Sequence, residues 1–136
     1  MTRGNGSPER PLHGLLKYIA EVSRIRSELF DYVSTGELAD ASDRTLFFGK
    51  PQVECRGSFA GSPDAEWTLF RRRADGRLCA VLGNLGGTAL VASRLKFGGK
   101  RPRPCRILTP FARPRASKLP ATVTVPPERV VFVVEE

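Results

Sequence analysis

The sequence predicts an α+β fold: one N-terminal amphipathic helix packed on a twisted antiparallel sheet or small β-barrel of about six strands. Three observations predict it. Apolar residues recur at three- and four-residue steps from Leu12 to Val33, and from Val53 onward the spacing drops toward two. Asp75-Gly76 stands between two apolar runs, a hairpin signal. Thirteen glycines and eleven prolines favour short strands and turns over a helical bundle. Residues 1–11 read as a polar tail and 12–136 as one domain, in which 40% hydrophobic residues suffice for a core.

The predicted helix spans 12–34. Leu12, Leu15, Leu16, Ile19, Val22, Leu29 and Val33 form its stripe, with Pro11 suited to the first turn and Gly36 to the exit. Lys17–Glu21 and Arg24–Glu28 stand at i,i+4 spacing on the opposite face. The stripe is long for a helix covering one small sheet. Packing on that sheet is the expectation, and pairing of part of the helix with a second copy is the alternative.

A polar link at 36–44, with Glu37, Asp40 and Asp43 as solvated acids, leads to short strands at 46–48 and 53–59. Gly61-Ser62-Pro63-Asp64 is turn composition. Residues 67–73 and 77–82 form the predicted hairpin. With Asp75 and Gly76 as its two turn residues, Phe70 faces Val81 and Arg72 faces Cys79. Trp67, Leu69, Arg71 and Arg73 share the other side with Leu78, Ala80 and Leu82. The arginines then project from the tip into solvent. Residues 83–87 turn, 88–97 form a strand closed by Gly98-Gly99, and 105–111 pair briefly. Arg/Pro loops occupy 98–104 and 112–120, and 121–125 with 129–134 form a closing hairpin around Pro126-Pro127.

Charge is the most informative feature for function. Residues 71–118 carry thirteen bases against one acid, Asp75, while the segments on either side each sum to −2 within a chain of net +8. A local block of this size repels itself unless it meets a polyanion, so nucleic acid, RNA or DNA, is the expected partner. Arginine outnumbers lysine 17 to 5, and the guanidinium fork suits bidentate contact with phosphate. The expected contact residues are Arg71, Arg72, Arg73 and Arg77 at the hairpin tip. Lys96, Lys100, Arg101, Arg103 and Arg106 follow around the first loop, and Arg113, Arg115 and Lys118 around the second. Of the nearby aromatics Trp67, Phe70, Phe97 and Phe111, the expected base-stacking pair is Phe97 and Phe111, which border the loops.

Lys100-Arg101-Pro102-Arg103-Pro104 resembles the core of an AT-hook, but Pro102 stands where that motif has glycine, so the minor-groove reading is not carried over. Gly83-x-x-Gly86 resembles the backbone-clamping loop of KH domains. That loop joins two helices, whereas a strand precedes it here, and the turn reading is kept. Leu15 to Val22 resembles the helical opening of some bacterial superfamily-one helicase-like proteins, which implies an accessory role beside a larger nucleic-acid-processing complex.

Enzyme chemistry finds little support. Cys55, Cys79 and Cys105 lie 24 and 26 positions apart without a close pair, which argues against a disulfide framework or zinc. His13 is the only imidazole, and Gly98-Gly99-Lys100-Arg101 lacks the spacing and hydroxyl of a phosphate-binding loop. A metal-dependent enzyme would need Glu54, Asp64 and Glu66 in one cleft. No cofactor, metal, membrane span or signal segment is expected, and the chain reads as cytoplasmic. The expected function is non-enzymatic nucleic-acid binding with weak sequence preference. The alternative is a structural or assembly subunit whose helix oligomerises and whose basic loops contact neighbouring proteins.

Overall fold

The computed structural model describes residues 9–41, 53–97 and 102–136, with only the backbone of 9–13 and 41. The expected strand at 46–48, most of the tail, and Lys100 and Arg101 lie outside the described residues.

Helix α1 (Glu9–Glu28) begins three residues before the expected start, so residues 9–11 belong to it rather than to the tail. Leu29 interrupts the helix. Its carbonyl accepts both Tyr32 N at 2.9 Å and Val33 N at 3.0 Å, which tightens the chain into the short α2 (Phe30–Val33). The exit at Gly36 needs glycine for space, because a Cβ there would lie 2.3 Å from the Tyr32 carbonyl oxygen and 2.7 Å from that of Arg71.

Nine strands follow: β1 (Glu37–Ala41), β2 (Val53–Arg56), β3 (Ala65–Arg71), β4 (Leu78–Asn84) and β5 (Leu90–Phe97), then β6 (Arg103–Leu108), β7 (Arg115–Leu119), β8 (Ala121–Val125) and β9 (Arg129–Glu135). All observed pairings are antiparallel. They build a six-stranded sheet, β1-β3-β4-β9-β6-β7, and a three-stranded sheet, β2-β5-β8. The class is α+β. The expected single sheet or barrel of six strands is corrected to two open sheets, whose edges at β1, β7, β2 and β8 are not closed by pairing among the described residues.

The sheets face each other across the main core. Leu69, Leu82, Ile107, Val131 and Val133 point inward from the larger sheet, and Ala92, Leu95, Phe97, Val123 and Val125 from the smaller. Full burial of a side chain such as Leu82 contributes roughly 1.5–3 kcal/mol. The outer face of the larger sheet carries a second cluster. Ile25, Leu29 and Tyr32 from the helices pack there on Cys79, Leu108, Phe132 and Val134. The C-terminal end of α1 therefore packs on the sheet as expected, whereas Leu15, Leu16 and Ile19 earlier in the helix are exposed.

The β3–β4 hairpin exists, but its register is two residues from the expected one: Phe70 pairs with Cys79 and Arg71 with Leu78. A shift of two keeps every side chain on its expected face. The cause is a four-residue loop, 73–76, in place of a two-residue turn. Gly76 takes φ +75° and its N–H donates to the Arg72 carbonyl at 2.8 Å, while Asp75 Oδ1 accepts from Arg77 N at 3.1 Å.

Of the connections that change sheets, the one between β8 and β9 was expected as a hairpin. β8 and β9 do not form a hairpin: β8 pairs with β5, and β9 lies between β4 and β6. Pro126 and Pro127, followed by Glu128 at φ +56°, carry the chain between the layers. Between β4 and β5 the crossover is stitched by Asn84, which is only 1% exposed. Its Nδ2 donates to the Thr88 and Val125 carbonyls at 2.8 and 3.1 Å, and its Oδ1 accepts from Gly86 N at 2.9 Å. Every polar atom of that amide is paired, as a buried amide requires.

Candidate nucleic-acid interface

Folding redistributes the basic block. Carboxylates from outside it in sequence fold against its cations, so the excess read along the chain is smaller in space.

At the hairpin tip, four arginines meet two acids. Arg72 reaches Asp75 with both arms of its fork, Nε to Oδ1 at 3.0 Å and Nη2 to Oδ2 at 2.6 Å, and lies 5.0 Å over the Tyr32 ring. Arg77 Nε is 3.4 Å from Asp75 Oδ2. The Arg72 hydrogen bonds, followed by the Arg77 backbone N–H, hold the Asp75 carboxyl down at about 2. Burial pushes the Tyr32 phenol up, with nearby Arg72 opposing. Arg73 donates to the Thr35 carbonyl at 2.7 Å and to Glu37 Oε1 at 3.0 Å, and Arg71 lies 3.8 Å from Glu37 Oε2. These contacts tie the hairpin to the turn between α2 and β1. The tip arginines are thus braced by ion pairs, while Arg73 and Arg77 remain exposed to solvent.

Cations on both strands that flank the first basic loop are likewise paired. Arg103 pairs with Glu135 at 3.1 Å, Arg106 with Glu136 at 3.3 Å, and Lys96 with Glu54 at 3.3 Å. The expected loop at 98–104 is shorter than drawn, because Arg103 and Pro104 already belong to β6. In the second expected loop, residues 115–119 are strand β7, an edge strand that among the described residues pairs with β6 alone.

Four cations of the block make no ion pair among the described residues: Arg94, Arg113, Arg115 and Lys118. Arg56 joins them; neither it nor Arg94 was among the contact residues expected from sequence. All five are exposed. Arg115 Nη2 donates to the Thr122 carbonyl at 3.2 Å, spanning the gap between β7 and β8. Lys118 sits opposite Pro104 on β7, and Arg113 lies in the β6–β7 loop near the exposed Phe111. Phe111 stands 6.4 Å from the Tyr18 ring, over which Arg129 rests at 4.4 Å. Phe97 is 3% exposed within the inter-sheet core, so it is unavailable for base stacking.

Arg56, Arg94 and Lys96 line one cavity of about 380 Å³ on the three-stranded sheet, with Glu54, Cys55 and Pro120. Register breaks in both β2 and β5 bring Arg56 opposite Ser93, and Arg94 takes φ +51°. Sequence reading passed over Arg56 because it stands outside the block, and a bulge leaves no signature in periodicity. Burial pushes the Cys55 thiol up, which keeps it neutral.

Glu54, Asp64 and Glu66 do not converge: Glu54 pairs with Lys96 on the small sheet, and Glu66 lies opposite Gly83 on the large one. Among the described residues no group of His, Cys, Asp or Glu could hold a metal, and no helix is long and apolar enough to cross a membrane. Comparison with protein-family models, curated proteins and solved structures finds no match to this chain.

Proposed function

We propose that this protein is a non-enzymatic nucleic-acid-binding protein that engages the phosphate backbone with weak sequence preference. The observation that carries the reading is a group of exposed cations that meet no carboxylate among the described residues: Arg94, Arg113, Arg115 and Lys118, with Arg56. An unpaired surface guanidinium gains by exchanging condensed counterions of a polyanion for itself, and the gain is sequence-independent. The paired arginines at 71–77 fasten the hairpin and contribute to the field rather than to contact. Phe111 beside Arg113 offers one exposed ring for stacking on a single strand. RNA and DNA are both admitted, since phosphate contacts are common to them. A cytoplasmic setting accords with Cys55, Cys79 and Cys105 all being free thiols.

The absorbance ratio at 260 and 280 nm of protein purified at low salt tests the reading. A high ratio that collapses after a high-salt wash supports it, and a low ratio throughout counts against it.

One observation favours an assembly role as second reading. Leu15, Leu16 and Ile19 are each at least 50% exposed on one helix, an arrangement suited to contact with a second copy or with a larger complex. Mass in solution at low and high salt without nucleic acid separates the two readings.

A further inference from the structure

We infer that the cavity lined by Arg56, Arg94 and Lys96 binds a phosphate monoester, which in nucleic acid is the terminal phosphate of a strand. This deepens the reading above and rests on it for the source of the phosphate.

Charge matching is the first argument. Arg56 and Arg94 have no ion pair among the described residues, whereas Lys96 shares Glu54 at 3.3 Å. The four charges leave the cavity with a formal excess of +2. An internal phosphodiester carries one negative charge, but a phosphate monoester carries about −1.5 to −2 near neutral pH. Cys55, the remaining titratable group on the wall, stays a neutral thiol through burial and offsets none of that excess. Two guanidiniums and an ammonium also offer more donors than the two free oxygens of a diester can use, and the three terminal oxygens of a monoester can take them.

Backbone geometry is the second, independent argument. Arg94 holds φ +51°, a conformation that glycine adopts freely and arginine rarely. It sits in an irregular stretch, with register shifts between Ala92 and Leu95 in β5 and between Glu54 and Arg56 in β2. Bulges of this kind re-aim a side chain, and strained residues cluster at ligand sites. Here the irregular stretch places Arg94 on the wall of the same cavity as Arg56. The volume of about 380 Å³ lies within the range of small-ligand pockets, roughly 300–1,000 Å³, which leaves room for a phosphate and part of its sugar.

The test measures anisotropy of one short oligonucleotide carrying a 5′-phosphate, a 3′-phosphate or only hydroxyl ends, with phenyl phosphate followed separately by NMR. The variant is Arg94→Gly, which keeps the left-handed backbone and removes the guanidinium; Arg56→Gln is the second variant. At least one phosphorylated end should bind roughly tenfold tighter than the hydroxyl strand, and Arg94→Gly should erase that difference. Equal, salt-dependent binding of all three strands overturns the pocket and leaves the backbone reading standing. Binding of phenyl phosphate, lost in Arg94→Gly, with no strand bound, keeps the pocket and overturns nucleic acid as its source. Binding of none overturns both.

Discussion

Glu135, whose side chain is 1% exposed, accepts a hydrogen bond from Arg103 Nη1 at 3.1 Å through Oε1, while its Oε2 finds no hydrogen-bond partner among the described residues. A carboxylate so placed depends heavily on its single cation, since an unpaired buried charge is costly. The pairing also explains why a basic residue begins β6: Glu135 stands opposite Cys105 on the neighbouring strand, and Arg103 is two positions away on the same face.

Replacing Arg103 by alanine therefore removes stability as well as charge. The expected loss is about 1.5–3 kcal/mol, the range for hydrogen bonds to charged groups. Urea denaturation measures it. An Arg103→Ala protein as stable as wild type would mean that the Glu135 carboxylate is satisfied another way.

Asp75 makes the hairpin tip sensitive to acid. Its carboxyl is held at about 2, below its ordinary 3.8, chiefly by the Arg72 side chain and then by the Arg77 backbone N–H. A folded-state value below the unfolded one stabilises above the unfolded value, and that stabilisation fades as pH falls from about 4 through 2. An NMR titration of the Asp75 carboxyl should give a midpoint near 2, with the Arg72 and Arg77 amides shifting alongside. In Asp75→Asn those amide shifts should vanish.

The two phenylalanines beside the basic loops should separate cleanly. Phe97→Ala opens a hole in the inter-sheet core and should cost about 3–5 kcal/mol. Phe111, 57% exposed, should be worth within about 0.5 kcal/mol of stability. Its removal should instead weaken single-strand binding by roughly 1–3 kcal/mol if one base stacks on it. Thermal melting and anisotropy of the same two variants give both readouts.

How far the fold was legible depended on which signal each element carried. The C-terminal half of α1, with Val22 on its packed face and Leu29 just beyond its end, announced itself through helical spacing, and β3, β4 and β9 through apolar content. β1 and β7 were hidden because each is an edge strand: among the described residues Glu37–Ala41 and Arg115–Leu119 bond one neighbour each, and their charged residues protect an edge without marking a strand. The two-sheet arrangement was illegible, since Asn84 and Pro126-Pro127 read as ordinary turns and nothing in their composition says that the chain changes layer.

The candidate site was legible in composition and not in space. Glu37, Glu54, Glu135 and Glu136 all lie outside the basic block in sequence, yet they fold against Arg73, Lys96, Arg103 and Arg106. Which cations stay unpaired is a property of strand order, which periodicity does not encode.

The central claim is that the unpaired cations, not the whole basic block, engage phosphate. The most direct test is the salt dependence of oligonucleotide affinity for three proteins: wild type, Arg113→Gln/Arg115→Gln/Lys118→Gln, and the control Arg71→Gln/Arg73→Gln, whose arginines both meet Glu37. Each phosphate contact contributes about 0.7–0.9 to the slope of log affinity against log salt. The account predicts a steep wild-type slope, a fall of about 2 to 3 in the triple variant, and little change in the control. A flat wild-type slope, or an equal fall in the control, would contradict it.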